Sequence, residues 1–186
     1  IKAYQYTPGV QSGGEAKSDL YVRGGGNDQN LILLDDVPMY YVSHFGGFSS
    51  TFNSDAIKNV ALIKGGFSAQ YGGRLSSVLD VRMKEGNMNE LKAQGTIGLL
   101  STKVSIEAPL KKDKSSFIFS ARKNLVPIFS LFDVGLSYDF YDINSKINYK
   151  LSDNDRVYFS LYLGNDRIDT KQNSATKYEN AIGWGN

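Results

Sequence analysis

Residues 64–82 have the sequence KGGFSAQYGGRLSSVLDVR, and this stretch decides the fold that the sequence predicts. Two glycine pairs, at 65–66 and 72–73, enclose a short polar and aromatic segment. Glycine accepts positive φ and close backbone approach, so these pairs predict a segment folded tightly against its neighbours. The apolar residues Val78, Leu79 and Val81 then predict a strand that leaves this segment.

A second glycine-rich segment lies upstream, where the short apolar stretch 20–23 ends at the triple glycine 24–26. Three glycines could cradle a phosphate, but a P-loop needs a following Lys-Ser/Thr pair and a dinucleotide-binding loop must open a helix. Instead the apolar run 31–34 follows, which predicts another strand, buried on both faces and ended by a turn. Asp35 and Asp36 in that turn are adjacent, so on an extended chain their carboxylates point apart, which argues against acid–base catalysis.

Taken in order, these segments resemble the plug domain of TonB-dependent outer-membrane transporters, in the form common among Bacteroidetes-type receptors. The resemblance rests on the arginine–glycine pair 23–24, the glycine turn 64–66 and the tyrosine–glycine pair 71–72 before the closing strand. Two positions depart from the family pattern. Asp36 stands where the family usually has glycine, and Lys64 keeps the charge of the usual arginine without its bidentate fork.

Composition excludes several classes of function. The chain has 186 residues, is 41% hydrophobic and 22% charged, and contains no cysteine and one histidine, His44. Disulfides, thiolate metal sites and the commonest nucleophile–base pairs are therefore excluded, and His44 has no second histidine to share a metal. A net charge of +2 is too small to favour nucleic acid as a partner. The sequence predicts no catalytic residues, no metal site and no cofactor.

The second half of the chain has the alternating period of β-strands, predicted at 91–100, 102–108, 116–123, 140–151 and 157–163. Tyr141, Ile143, Ile147 and Tyr149 lie on one face of the fourth of these strands, and the opposite face is polar at every position. A soluble β-sandwich has the same period, so alternation alone leaves both a sandwich and a membrane barrel open.

The lengths of the connections favour the barrel. Turns at 109–115 and 152–155 are short, whereas the connections 124–138 and 165–181 are long. Short periplasmic turns that alternate with long extracellular loops are typical of outer-membrane barrels. No run of about 18 apolar residues is present, so no transmembrane helix is predicted.

Between the two glycine-rich segments, residues 39–53 combine five aromatic residues and His44 with glycines and hydroxyl residues, without a regular period. Such a loop is either a packed connector or a recognition surface. A short helix is predicted next, at 54–60, with Asn53 or Ser54 as its N-cap.

The resemblance implies that residues 1–88 are the later part of an α+β plug domain and that 89–186 are the first antiparallel strands of a transmembrane β-barrel. Plugged transporters of this kind have about 22 strands, so the chain is interpreted as a fragment, and Ile1 in place of a methionine agrees with a missing start. The implied function is TonB-dependent transport of a nutrient across the bacterial outer membrane, with the plug gating the barrel lumen. The alternative is a soluble β-sandwich ligand-binding module.

The implied partners are the TonB–ExbB–ExbD complex, outer-membrane lipid and a nutrient ligand, with siderophore, glycan, peptide and cobalamin all open, as is a surface lipoprotein lid. The resemblance places ligand contacts in the loops that cap the plug, at Asn27, Asp28, Gln29, Tyr40, Tyr41, His44 and Phe45. Arg23 and Lys64 match cationic plug positions that pair with carboxylates on the inner barrel wall.

Overall fold

The computed structural model describes residues 2–14, 17, 19–47, 49–98, 100–125, 136–170 and 180–181. The chain forms two compact units. The first comprises residues 1–52 and 57–83, and the second comprises 53–56 and 84–186. The helical segments within the described ranges are short 3-10 turns at Lys2–Tyr6, Asn27–Gln29 and Phe45–Gly47. None of the described helices is long and apolar enough to cross a membrane.

Among the described residues, the first unit has eight short strands. They are β1 Val10–Ser12, β2 Leu20–Val22, β3 Asn30–Leu34, β4 Val37–Pro38, β5 Ser43–His44, β6 Ser49–Ser50, β7 Ile57–Ile63 and β8 Ser77–Met83. Four of them form a mixed sheet in the order β4-β3-β8-β7, with β3 and β8 parallel. Most residues of β3 and of β8 are buried, which confirms the buried strand predicted at 31–34 and the strand predicted at 78–81.

The turn between β3 and β4 explains why an aspartate can replace glycine there. Asp35 and Asp36 both have positive φ, 48° and 71°, as a two-residue hairpin loop requires. Aspartate tolerates this conformation better than most residues. The carboxylate of Asp36 also receives two hydrogen bonds from the guanidinium of Arg82, at 2.5 and 2.6 Å, which raises the pKa of Arg82 above its usual range.

The helix predicted at 54–60 is wrong. Residues 54–56 form a turn, and the chain then enters β7, Ile57–Ile63, which pairs antiparallel with β8. Ile57, Val60 and Ile63 are β-branched and suit the pleated surface of a strand better than a helix. Because β8 offers a free edge opposite β3, pairing with β8 satisfies the backbone along this whole segment.

The second unit contains one antiparallel sheet of six strands in the order β14-β13-β12-β11-β10-β9. Each strand lies beside its neighbour in sequence. The strands are β9 Lys92–Ile97, β10 Ser101–Lys111, β11 Ser115–Asn124, β12 Leu136–Lys150, β13 Arg156–Thr170 and β14 Asn180–Ala181. The positions of β9 to β13 confirm the strands predicted from the alternating pattern.

The polarity of this sheet is the reverse of that in a water-soluble sheet. On β12 the polar residues Asp142, Asn144, Lys146 and Asn148 are buried, whereas the apolar face is exposed. The exposed apolar residues of β12 and β13 include Tyr141, Ile147, Tyr149, Val157, Phe159 and Leu163. A β-sandwich would bury this apolar face against a second sheet. An exposed apolar face with a polar opposite face is the arrangement of a membrane barrel wall.

Two strand boundaries differ clearly from the prediction, since β12 begins at Leu136 rather than at 140 and β13 ends at Thr170 rather than at 163. The long connection predicted at 165–181 begins later, because β13 continues to Thr170 and pairs with residues 136–141 of β12. Ladder hydrogen bonds join backbone groups, so polar side chains such as Asn165 and Asp166 do not end the strand. Most of the other long connection, at 126–135, lies outside the described residues.

Candidate functional site

Three loops of the first unit come together at one end of its mixed sheet. Because β3 and β8 are parallel, the loops that precede Asn30 and Ser77 lie side by side. The amides of Leu75 and Ser76 both donate to the carbonyl oxygen of Gln29, at 3.2 and 2.9 Å. The β3–β4 hairpin returns the chain to the same end, where the amide of Met39 donates to Ile32 at 2.8 Å.

The predicted ligand-binding residues Asn27, Asp28 and Gln29 form a 3-10 turn at this end. The Asn27 side chain accepts a hydrogen bond from the Leu20 amide and donates to Asp19, at 3.1 and 3.3 Å. The Gln29 side chain accepts from the amide of Gly26 at 3.3 Å. These two side chains brace the loop, while Asp28 is exposed to solvent.

Below the turn, Asn30 fixes the base of the site. Its buried side chain donates to the carbonyls of Leu20 and Asn27 and accepts from the hydroxyl of Ser77, at 2.6, 3.1 and 2.7 Å. A buried amide with all these partners holds the two loops in one arrangement. The candidate site is therefore preorganised by backbone and amide hydrogen bonds.

A cavity of about 170 Å³ lies between these loops. Tyr40, Arg74 and the glycine pair 72–73 line it, together with residues 30–32 and 38–39. Tyr40 is 79% exposed and the neighbouring Tyr41 is 72% exposed, so both rings are available to a ligand. The exposed Arg74 donates to the carbonyl of Gly73 at 2.9 Å and adds a cation that can bind acidic or hydroxyl-rich groups.

The other two predicted ligand residues lie on a different element of the first unit. His44 is 1% exposed and belongs to the small sheet of β5 and β6. Phe45 begins the turn Phe45–Gly47 that follows. His44 does not line the cavity, whereas Arg74, which the sequence analysis did not single out, does.

The two predicted plug-to-barrel cations differ in their surroundings. The ammonium of Lys64 donates to the carbonyl of Pro8 at 2.7 Å and to the hydroxyl of Thr7 at 3.3 Å, within the first unit. Arg23 has positive φ and an exposed side chain, which lies close to Gly65. Among the described residues no ion pair involves Arg23.

The second unit holds a short piece of the chain that interrupts the first unit. Residues 53–56 pack with the strands of the six-stranded sheet. The buried amide of Asn53 donates to the hydroxyl of Ser120 on β11 at 2.7 Å, and Asp55 pairs with Lys103 on β10 at 3.0 Å. These contacts fix the segment 53–56 to the sheet, and sequence reasoning missed them because their partners lie tens of residues away.

A larger cavity, of about 420 Å³, lies in the second unit against β9 and β10. Its charged lining residues are Asp55, Lys84, Lys92 and Glu107, and no described aromatic side chain lines it. Within the described ranges no group of three or more acidic, histidine or cysteine side chains could hold a metal. The cavity between Tyr40 and Arg74 is therefore the stronger candidate for a ligand site, since aromatic rings bind varied ligands at low entropic cost.

Comparison with known proteins agrees with this geometry. The family model for the TonB-dependent Receptor Plug Domain matches residues 1–77, the region that contains most of the mixed sheet and its three loops. Residues 1–77 are similar to a TonB-dependent receptor plug domain. The residues 53–56 that bind β10 and β11 are thus part of the matched plug sequence.

A solved structure shares the fold of nearly the whole chain. The siderophore receptor PirA from Acinetobacter baumannii superimposes with a TM-score of 0.62 at 19% sequence identity, over 94% of this chain and 30% of that chain. The chain therefore spans less than a third of the length of that receptor. At this identity the match shows the fold alone. No curated protein matches the sequence.

Together, the plug match and the barrel-like strands confirm the predicted fold, a plug followed by antiparallel strands of a transmembrane barrel. They also confirm the predicted location in the bacterial outer membrane. The matched protein and the matched domain belong to receptors rather than to enzymes.

Proposed function

We propose that this protein is a TonB-dependent receptor that takes up a nutrient across the outer membrane, with the plug gating the barrel lumen and the TonB–ExbB–ExbD complex supplying the energy. The proposal rests on the order of two parts within one chain, a plug and a set of barrel-like strands. A plug domain over residues 1–77 is followed by strands with an exposed apolar face and a buried polar face. The soluble β-sandwich alternative requires a cover for that apolar face, and the described strands of the second unit form a single sheet.

Growth of a deletion strain tests the proposal. We expect the strain to lose growth on one limiting nutrient and to regain it when the gene is restored. Ferric siderophores are the first class to test, because the structural neighbour is a siderophore receptor. Glycans, peptides and cobalamin follow. If the restored gene also supports growth in a strain that lacks TonB activity, the result would contradict energy-dependent uptake.

The loops around the cavity are proposed to bind the nutrient directly, with Asp28, Tyr40, Tyr41 and Arg74 as the side chains most open to it. We expect the triple variant Tyr40→Ala, Tyr41→Ala and Phe45→Ala to weaken binding by at least about tenfold. Aromatic side chains commonly contribute about 1 kcal/mol or more each when they lie against a ligand. Binding of the transported nutrient to the purified full-length receptor, measured by titration calorimetry, gives the result.

Tyr6→Ala provides the matched control for this triple variant. Tyr6 is 90% exposed in the same unit but does not line the cavity, so its removal should leave the affinity unchanged. If the triple variant binds as tightly as the parent while Tyr6→Ala behaves as expected, the loop assignment is wrong.

Arg23 and Lys64 are proposed to hold the plug by pairing with carboxylates of the inner barrel wall. Lys64 already has two oxygen partners, so Arg23, which has no ion pair among the described residues, should contribute more. We expect Arg23→Ala to lower the stability of the closed receptor by about 1.5 to 3 kcal/mol, the range for hydrogen bonds to charged groups. Denaturant titration of plug release from the full-length receptor measures this loss. An effect of Arg23→Ala no larger than that of Lys64→Ala would oppose the assignment.

A further inference from the structure

The tight turn between β10 and β11 carries an unusual concentration of positive charge. Residues 111–114 have the sequence KKDK, so three lysines accompany one aspartate. Lys111 and Lys112 are exposed, and Lys114 is half-buried. Within the part of the chain that the structure describes, none of the three lysines forms an ion pair.

Neighbouring cations at the same end of the sheet are already neutralised. Lys150 pairs with Asp153 at 2.6 Å, and the hydrogen bond from Lys150 holds the pKa of Asp153 below its usual value. Arg156 pairs with Glu85 at 3.1 Å. The excess positive charge at this end is therefore concentrated in the turn 111–114.

Backbone hydrogen bonds fix the turn in place. The amide of Lys114 donates to Lys111 at 3.0 Å, and the amide of Asp113 donates to Met88 at 3.2 Å. On the other side, the amide of Lys150 donates to the carbonyl of Lys114 at 2.8 Å. The lysines are thus presented from a rigid support, which lowers the entropic cost of binding an anion between them.

The turn lies where the exposed apolar face ends. The ammonium of Lys114 is 5.5 Å from the centre of the Tyr149 ring, which belongs to the apolar face of β12. Leu110 and Leu151, on either side, are also exposed. Tyrosine at the edge of an apolar band, with lysine reaching beyond it, marks the boundary between hydrocarbon and headgroups in membrane proteins.

The length of the turn indicates which leaflet it meets. Short turns of outer-membrane barrels lie on the periplasmic side, and the neighbouring turn between β12 and β13 is short as well. We propose that Lys111, Lys112 and Lys114 form a binding site for the phosphate groups of anionic phospholipids in the periplasmic leaflet. Charge complementarity and the adjacent apolar face both favour a lipid over a free anion, because acyl chains can lie against Tyr149, Leu110 and Leu151 while the headgroup meets the lysines.

Lipid retention by the full-length receptor tests this site. The receptor is purified in detergent, mixed with phosphatidylglycerol or with phosphatidylcholine of the same acyl chains, and the bound lipids are counted by native mass spectrometry. We expect Lys111→Gln/Lys112→Gln/Lys114→Gln to weaken retention of phosphatidylglycerol by at least about fivefold, the effect of one lysine near an anionic surface. Retention of phosphatidylcholine should not change.

Two matched variants test whether a loss of lipid binding comes from these three lysines, rather than from a general loss of positive charge or from misfolding. Lys17→Gln/Lys92→Gln/Lys123→Gln removes the same charge from exposed lysines elsewhere and should retain phosphatidylglycerol like the parent. Lys111→Arg/Lys112→Arg/Lys114→Arg keeps the positive charge and should also retain it. Nutrient uptake should persist in all three variants, so this test is independent of the transport function.

Several results would overturn the proposal. They are unchanged phosphatidylglycerol retention in the glutamine variant, equal loss in the control variant, and equal loss of phosphatidylcholine. Displacement by inorganic phosphate at concentrations that match the lipid would instead indicate a simple anion site. Preference for the phosphates of lipopolysaccharide over phosphatidylglycerol would place the turn at the other leaflet.

Discussion

Gly86→Ala should destabilise the receptor by about 2 to 5 kcal/mol, because both the backbone conformation and the space at residue 86 are unfavourable for a Cβ atom. Gly86 has φ of 81°, a conformation that costs an alanine about 1 to 2 kcal/mol. A Cβ added there would also collide with the backbone carbonyl of Phe117 on β11. Forcing extra atoms into a packed region costs about 1 to 3 kcal/mol more. Denaturant unfolding of the full-length receptor in lipid vesicles measures the loss.

Gly24→Ala is the matched control, since Gly24 has nearly the same φ, 79°, and open space around its Cβ position. It should show only the conformational cost of about 1 to 2 kcal/mol. Equal losses for the two variants would mean that β11 moves away from residue 86 without strain.

The position of Gly86 explains why this close approach matters. Gly86 follows Glu85, whose carbonyl accepts a hydrogen bond from the hydroxyl of Ser116 at 2.7 Å and whose carboxylate pairs with Arg156. The second unit thus begins, after β8, with a segment that is bonded to both β11 and β13. A shift at residue 86 would disturb these bonds together.

The sequence pattern was sufficient for the strands but not for every connection between them. Alternation located β10 to β13, because side chains on a strand must point to opposite faces and each face of this sheet meets a different environment. The segment 54–60 has an N-cap candidate before two apolar residues at helical spacing, and this local pattern predicts a helix. Local propensity contains no information about the edge of β8, which is open to a partner strand. The long-range pairing of residues 57–63 with β8 makes this segment a strand.

The sequence was sufficient to predict that two residues of the candidate site are accessible to a ligand. Tyr40 and Tyr41 follow a turn in an aromatic loop and are exposed, as a ligand contact requires. Arg74 was missed because its place beside the cavity depends on the parallel pairing of β3 and β8, which brings together loops that are far apart in the sequence. The burial of His44 likewise depends on a small sheet that no local pattern indicates.

Arg122→Ala should lower the free energy of unfolding by about 3 to 5 kcal/mol, the cost of breaking a buried ion pair by removing one partner. Arg122 on β11 lies directly opposite Asp142 on β12, and its Nε and Nη2 atoms are both 2.7 Å from the carboxylate. The side chain of Asp142 is 0% exposed and that of Arg122 is 9% exposed. Loss of the guanidinium leaves a buried carboxylate without its strongest partner. Denaturant unfolding in lipid vesicles again gives the measurement.

Two further variants separate the charge from the contact. Arg122→Gln/Asp142→Asn removes both charges and keeps hydrogen-bonding groups, so it should lose less stability than Arg122→Ala, because no buried charge is left alone. Lys92→Ala breaks an exposed pair with Glu90, in which the two side chains are 55% and 65% exposed, and should cost less than about 1 kcal/mol. If Arg122→Ala lowers the free energy of unfolding no more than Lys92→Ala does, water reaches Asp142 in the assembled barrel, and the polar face of β12 is hydrated. If the loss is large, that face is dry at this point, and Arg122 with Asp142 fixes the pairing of β11 with β12.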